Sequence, residues 1–180
     1  MSQTDSKIIL ETNLRTYFFE SLSHLNAESP CPMPQSLIFY SSDLLERFCL
    51  SEDYFEVQEG KVREKILGLK LLESTNLSAT EQVRVLRDVA DTSLLVSSYF
   101  SDSLRKKVVD VNYYCNIGKN AYERLNNVSP HYLDIPSFYH MLATSFDRVG
   151  LLLKKLSIQS FSTKEKEIFE SFDWLNKKVS

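Results

Sequence analysis

A chain of 180 residues with 43% apolar side chains and a net charge of -3 has enough material for a core. It lacks the basic surplus of a dedicated nucleic-acid binder. Glycine and proline are scarce, at 4 and 5; sheet-rich folds draw on both for turns, so the composition points to helices.

Cys31, Cys49 and Cys115 are far apart and odd in number, which argues against a disulfide framework and for a reducing compartment. No apolar run approaches the about 18 residues of a membrane span. The opening residues carry acids and no long apolar stretch, unlike a signal peptide. These features predict a cytoplasmic protein without a membrane span.

In chain order, the first predicted helix runs from about Ser6 to Ala27, with Leu14, Tyr17, Phe18, Leu22 and Leu25 at helical offsets. Pro30, Pro32 and Pro34 stop it, because each removes an amide donor and fixes φ. Pro34 can open the next helix. Gln35 to Leu50 follows, with Leu37, Tyr40, Leu44, Leu45 and Phe48 on one face and Phe39 off it. After Gly60, Lys61 to Ser74 reads as a third helix through Val62, Ile66, Leu69 and Leu72. Gly68 inside it costs about 1 kcal/mol against alanine unless a neighbour packs close.

Ser78-Ala79-Thr80-Glu81 has the form of a capping box. The long helix after it continues to about Ser103, with Val83, Leu86, Ala90, Leu94 and Ser97 on one face. Arg87 and Asp91 are spaced to pair along it. Asp110 is a good N-cap for the next helix, which carries Val111, Tyr114, Gly118, Ala121, Tyr122 and Leu125 on one face. Asn126 to Pro130 ends it. Pro136 or Ser137 opens another helix with Phe138, Leu142, Phe146, Val149, Leu153 and Leu156 as its stripe. A second capping box at Ser162 to Glu165 precedes a last short helix.

Catalytic and metal motifs are not evident. His24, His131 and His140 lack the convergent spacing of metal ligands. The single glycines form no phosphate-cradling loop. Cys115 or a buried carboxylate would need a base within reach to act in an enzyme. No metal or other cofactor is therefore expected. The informative stretch is Ala90 to Leu125. Buried phenols must find hydrogen-bond partners, so Tyr113, Tyr114 and Tyr122, with Arg87, Asp91 and Asp110, are the candidate ligand- or partner-binding residues. Close helix packing, with the hydroxyls bonded internally, is the competing account of the same residues.

This stretch resembles an uncharacterised family of bacterial cytoplasmic proteins. The likeness rests on Asp91-Thr92, Ser97-Ser98-Tyr99-Phe100, Ser103-Leu104, Val109-Asp110, Tyr113-Tyr114, Gly118 and Ala121-Tyr122. Ala90 and Ser98 stand where the family has glycine, which shrinks the room for close backbone approach. The resemblance implies an all-helical fold and carries no assigned activity.

The combined expectation is a single all-α domain over residues 1–180, an irregular bundle of six or seven helices. The leading functional expectation is a non-catalytic interaction or regulatory module that binds a protein partner or itself. Phe39, Tyr54, Phe55, Tyr99, Tyr139 and Trp174 are candidates for surface exposure. The alternative is a small-molecule sensor with a tyrosine-lined pocket between the helices spanning 79–103 and 110–126. No nucleic acid is expected as a partner.

Overall fold

A computed structural model describes the backbone of residues 3–50, 56–58, 61–63, 67–99, 101 and 111–159, and the side chains of 14–49, 67–99, 101 and 111–159. The fold is all-α. Among the described residues the helices are α1 (Gln3–Ala27), α2 (Gln35–Leu50), α3 (Leu67–Glu73), α4 (Ala79–Tyr99), α5 (Val111–Val128), α6 (Phe138–Thr144) and α7 (Phe146–Gln159). A short antiparallel pair, β1 (Glu56–Gln58) and β2 (Lys61–Arg63), lies between α2 and α3. None of the described helices is long and apolar enough to cross a membrane.

The chain divides into two compact units, Met1–Lys65 with Lys155–Ser180, and Ile66–Lys154. In the first unit, α1 packs on α2. Phe18, Leu22 and Leu25 of α1 are buried, as are Leu37, Tyr40, Leu44, Leu45 and Phe48 of α2. The periodic stripe of α2 is thus its buried face, and Phe39 lies outside it, exposed. Ser41 and Ser42 are buried too, and each hydroxyl donates to the carbonyl four residues earlier, Leu37 and Ile38. Asn26 closes the proline-rich connection: its amide nitrogen donates to the Met33 carbonyl at 2.9 Å and its oxygen accepts from the Met33 amide at 2.8 Å. Arg15 bridges to α2 through Glu46 and Asp43. Arg15 is half exposed, so these ion pairs contribute at most about 1 kcal/mol each.

In the second unit, α4 makes its most extensive contact with α5, and α6 also packs on α5. α3 is held to both: the Arg124 guanidinium donates to the Leu71 carbonyl at 3.0 Å, and Lys70 lies 3.9 Å from Asp88. Leu86, Val89, Ala90, Leu94, Tyr122, Leu125, Phe138 and Phe146 form the core of the unit.

The start of α4 follows the capping signal. Ser78 precedes the first helical residue, and its amide and hydroxyl both donate to Glu81 Oε2, at 3.3 and 2.6 Å. The hydroxyl bond first, then the amide bond, holds the Glu81 carboxyl below the usual glutamate range, because both favour the charged form. A depressed folded-state value has a definite sign. The stabilisation of the cap is complete above the ordinary glutamate range and is lost as pH falls through the lowered folded value. Acidification is therefore expected to loosen the first turn of α4, read as faster amide exchange at residues 79–82. Glu81→Gln should remove that acid-dependent step.

Three sequence-based expectations need correction. The helix expected over Lys61 to Ser74 is shorter, Leu67–Glu73, followed by a 3-10 turn over Ser74–Asn76. Lys61–Arg63 instead pairs with Glu56–Gln58, with Val57 opposite Val62; β-branched residues suit cross-strand pairing. The buried face of α3 is Leu67 and Leu71, whereas Leu69 and Leu72 face outward. Finally, the helix expected from residue 137 through Leu156 is two helices. Ser145 interrupts it at φ -95° and ψ 4°, and the Thr144 hydroxyl donates to the Met141 carbonyl. Such back-bonding competes with the helical ladder and bends it. The second capping box and the last short helix, like Tyr54, Phe55 and Trp174, lie outside the described residues.

Candidate functional site

Residues Arg87 and Asp91 sit one turn apart on α4, and each binds a tyrosine. The Tyr122 hydroxyl donates to Asp91 Oδ1 at 2.7 Å, with Asp91 2% and Tyr122 0% exposed. Arg87 Nη2 donates to the Tyr139 hydroxyl at 2.9 Å. The two phenol rings stack, with centroids 6.4 Å apart and planes 12° apart. Carboxylate, phenol, phenol and guanidinium therefore form a ladder that ties α4, α5 and α6 together. Tyr132 completes one end: it stacks on Phe138 at 4.6 Å, and the Arg87 guanidinium carbon lies 5.6 Å from its ring centroid. The same carbon lies 5.9 Å from the Tyr139 ring. Cation–π contacts of this kind contribute about 0.5–2 kcal/mol, more when water is excluded.

The centre of the α4–α5 contact is closed by Phe146. A Cβ added at Gly118 would lie 2.5 Å from two atoms of the Phe146 ring and 3.0 Å from Ser93 Cβ. Glycine is needed here for close approach, not for backbone conformation. The serines of α4 lie in the same packed region. Ser97 and Ser98 are buried, and both donate to the Leu94 carbonyl within their own helix. Small side chains that satisfy themselves locally let helices approach without leaving unpaired donors. Among the described residues, the buried hydroxyl oxygens of Ser23, Thr92 and Ser93 have no hydrogen-bond partner.

The structure unites some of the sequence-selected residues and separates others. Arg87, Asp91 and Tyr122 share the ladder. Tyr114 is buried at 5% exposure and meets Tyr113 edge to face, at 5.5 Å and 83°. Tyr113 itself is 42% exposed, with its hydroxyl over Gly68 of α3. Asp110 lies outside the described residues. Tyr139, expected at the surface, is 3% exposed, because Arg87 and the Tyr122 ring cover it. Sequence reasoning also missed Tyr132 and Tyr139 as partners of Arg87. Their only local signal was their position around Pro136; the contact with α4 spans about half a domain of chain.

Among the described residues no group of histidine, cysteine and carboxylate side chains could hold a metal ion. His140 pairs with Glu123 at 2.9 Å on the exposed side of α5 and α6, and His24 lies 3.7 Å from Glu28. Cys31, Cys49 and Cys115 all carry thiols and not disulfides. Cys115 is half-buried on α5. The ladder holds opposite charges in fixed positions between three helices, which is an arrangement that sets helix register. No protein-family model, no curated protein and no solved structure matches the chain.

Proposed function

We propose that this chain is a non-catalytic helical interaction module that binds a protein partner or a second copy of itself. The observation that carries the reading is an apolar surface on the second unit. Leu69 and Leu72 of α3 are 48% and 66% exposed, and Tyr113 of α5 crosses Gly68, one turn before Leu72. Side chains of this kind on one helix face gain free energy when a partner removes them from water. The first unit has an aromatic surface of its own, where exposed Phe39 meets Phe19 edge to face at 6.5 Å. The cytoplasmic setting and the likeness to a bacterial family belong to the same proposal, as does a regulatory role.

Light scattering and affinity capture, each repeated on Leu69→Glu/Leu72→Glu, test the reading. The wild type is expected to self-associate or retain a defined protein, and the double variant to lose that association by at least tenfold while keeping its Tm. A strictly monomeric wild type that retains nothing sinks the proposal. So does a partner held equally well by both forms.

The alternative is a small-molecule sensor with its pocket between the helices spanning 79–103 and 110–126. The buried Thr92 and Ser93 hydroxyls favour it, since a bound ligand could supply the missing hydrogen bonds. A thermal-shift screen of nucleotides, lipids and metabolites separates the two readings. A ligand that binds only the folded state raises Tm by mass action.

A further inference from the structure

The segment 129–137 between α5 and α6 holds three non-glycine residues at positive φ: Leu133 at 47°, Asp134 at 63° and Ser137 at 52°. Two of them are the centre of a tight turn. The Tyr132 amide donates to the Ile135 carbonyl at 3.2 Å, and the Ile135 amide donates back to the Tyr132 carbonyl at 2.9 Å. Two left-handed residues inside such a bridge make a primed turn, which normally takes Asn-Gly because a branched or bulky side chain clashes there. Here Leu-Asp occupies it. Leu133 is 65% exposed, so its own burial does not offset the strain.

The strained turn is held closed by what Tyr132 touches. Its ring lies on Phe138 and beside the Arg87 guanidinium. At the base of the segment, the Phe138 amide donates to the Pro130 carbonyl at 3.2 Å. Opening the turn breaks two backbone hydrogen bonds, the stack of Tyr132 on Phe138, its edge contact with Tyr139 and its contact with Arg87, and it releases Leu133 and Asp134 from left-handed backbone. It leaves α4, α5 and the Asp91–Tyr122 bond in place. Backbone strain persists only where surrounding contacts impose it, and it clusters at ligand clamps and switch segments.

We propose that residues 130–136 form a strain-loaded lid over Arg87, with Tyr132 as its latch. In the open form the face of the Arg87 guanidinium that Tyr132 covers meets solvent, a planar donor suited to a carboxylate or phosphate oxygen. The proposal is independent of what partner the exposed face of α3 takes.

Amide exchange and arginine labelling on the full chain test it. In the wild type, the Tyr132 and Ile135 amides are expected to exchange at least about tenfold faster than those of Tyr122 and Leu125, after correction for intrinsic rates. Phenylglyoxal should modify Arg87 at a rate that follows this opening. Leu133→Asn/Asp134→Gly supplies the residues the turn prefers. It should slow both exchange at Ile135 and labelling of Arg87 by about fivefold or more, leaving exposed Arg148 unchanged. Tyr132→Ala should speed Arg87 labelling while exchange in α5 stays slow. The lid is overturned if the wild-type turn amides exchange only at the α5 rate. It is also overturned if neither variant alters Arg87 labelling.

Discussion

Gly118→Ala is expected to lower stability by about 1–2 kcal/mol, although alanine is the better helix former. The exchange gains about 1 kcal/mol of helix propensity. Against this stands the insertion of a methyl group into a filled contact, which at an approach of 2.5 Å falls in the upper half of the range of about 1–3 kcal/mol. The clash decides the sign because Phe146 has nowhere to go. Its ring is 1% exposed and lies against Tyr122 at 6.1 Å. Gly150 is the internal control. A Cβ there would meet Leu94 Cδ1 and Ser98 Cβ at 3.9 Å, ordinary contact distance. Gly150→Ala should therefore gain about 0.5–1 kcal/mol. Urea denaturation of the two variants should move the midpoint in opposite directions. A Gly118→Ala protein as stable as the wild type would contradict the tight α4–α5 contact.

The second large effect concerns the Tyr122 hydroxyl. Tyr122→Phe keeps the ring and removes one oxygen, so it isolates the bond to Asp91. A hydrogen bond to a charged acceptor contributes about 1.5–3 kcal/mol, and a buried carboxylate that loses a donor stands at the upper end. For a chain of this size the loss corresponds to a Tm lower by roughly 3–12 °C. Asp91→Asn, alone and combined with Tyr122→Phe, completes a double-mutant cycle. A coupling of at least about 1 kcal/mol is expected for groups in direct contact. Additive losses would mean that the two side chains act independently, and the ladder would not be the element that sets helix register.

Most of the helical architecture was legible in the sequence, because it is written in local signals. The stripe of α2 and the face of α5 are periodic over several turns, and both are buried as read except for Val111, which is half-buried. Ser78 and Glu81 announced the start of α4 from three residues apart. The failures share a physical cause. Leu67, Leu69, Leu71 and Leu72 fit more than one helical stripe, so periodicity alone could not choose which pair faces the core. Val57 and Val62 pair across strands too short to show alternation. The site was legible only in part. Tyr122 lies on the face that the periodicity orients toward the core, so its burial could be inferred; Asp91 stands beside the apolar stripe of α4, and its burial carried no such signal. Tyr139 reaches Arg87 over 52 positions of chain, and no spacing rule connects them. Ser97 and Ser98 of α4 bond to their own helix, and a serine of that kind is a space-saving core residue. What stands opposite is set by the tertiary packing: Ser93 lies against Gly118, and Ser98 against Gly150.

The Asn26 clamp on Met33 carries a consequence for how the polypeptide is made. The clamp joins the last turn of α1 to a residue 7 positions on, so closing it needs no distant residue to arrive. Local contacts form fastest because little loop entropy is lost. The paired rods α1 and α2 can consequently dock while translation is still in progress, once Leu50 has cleared the ribosome.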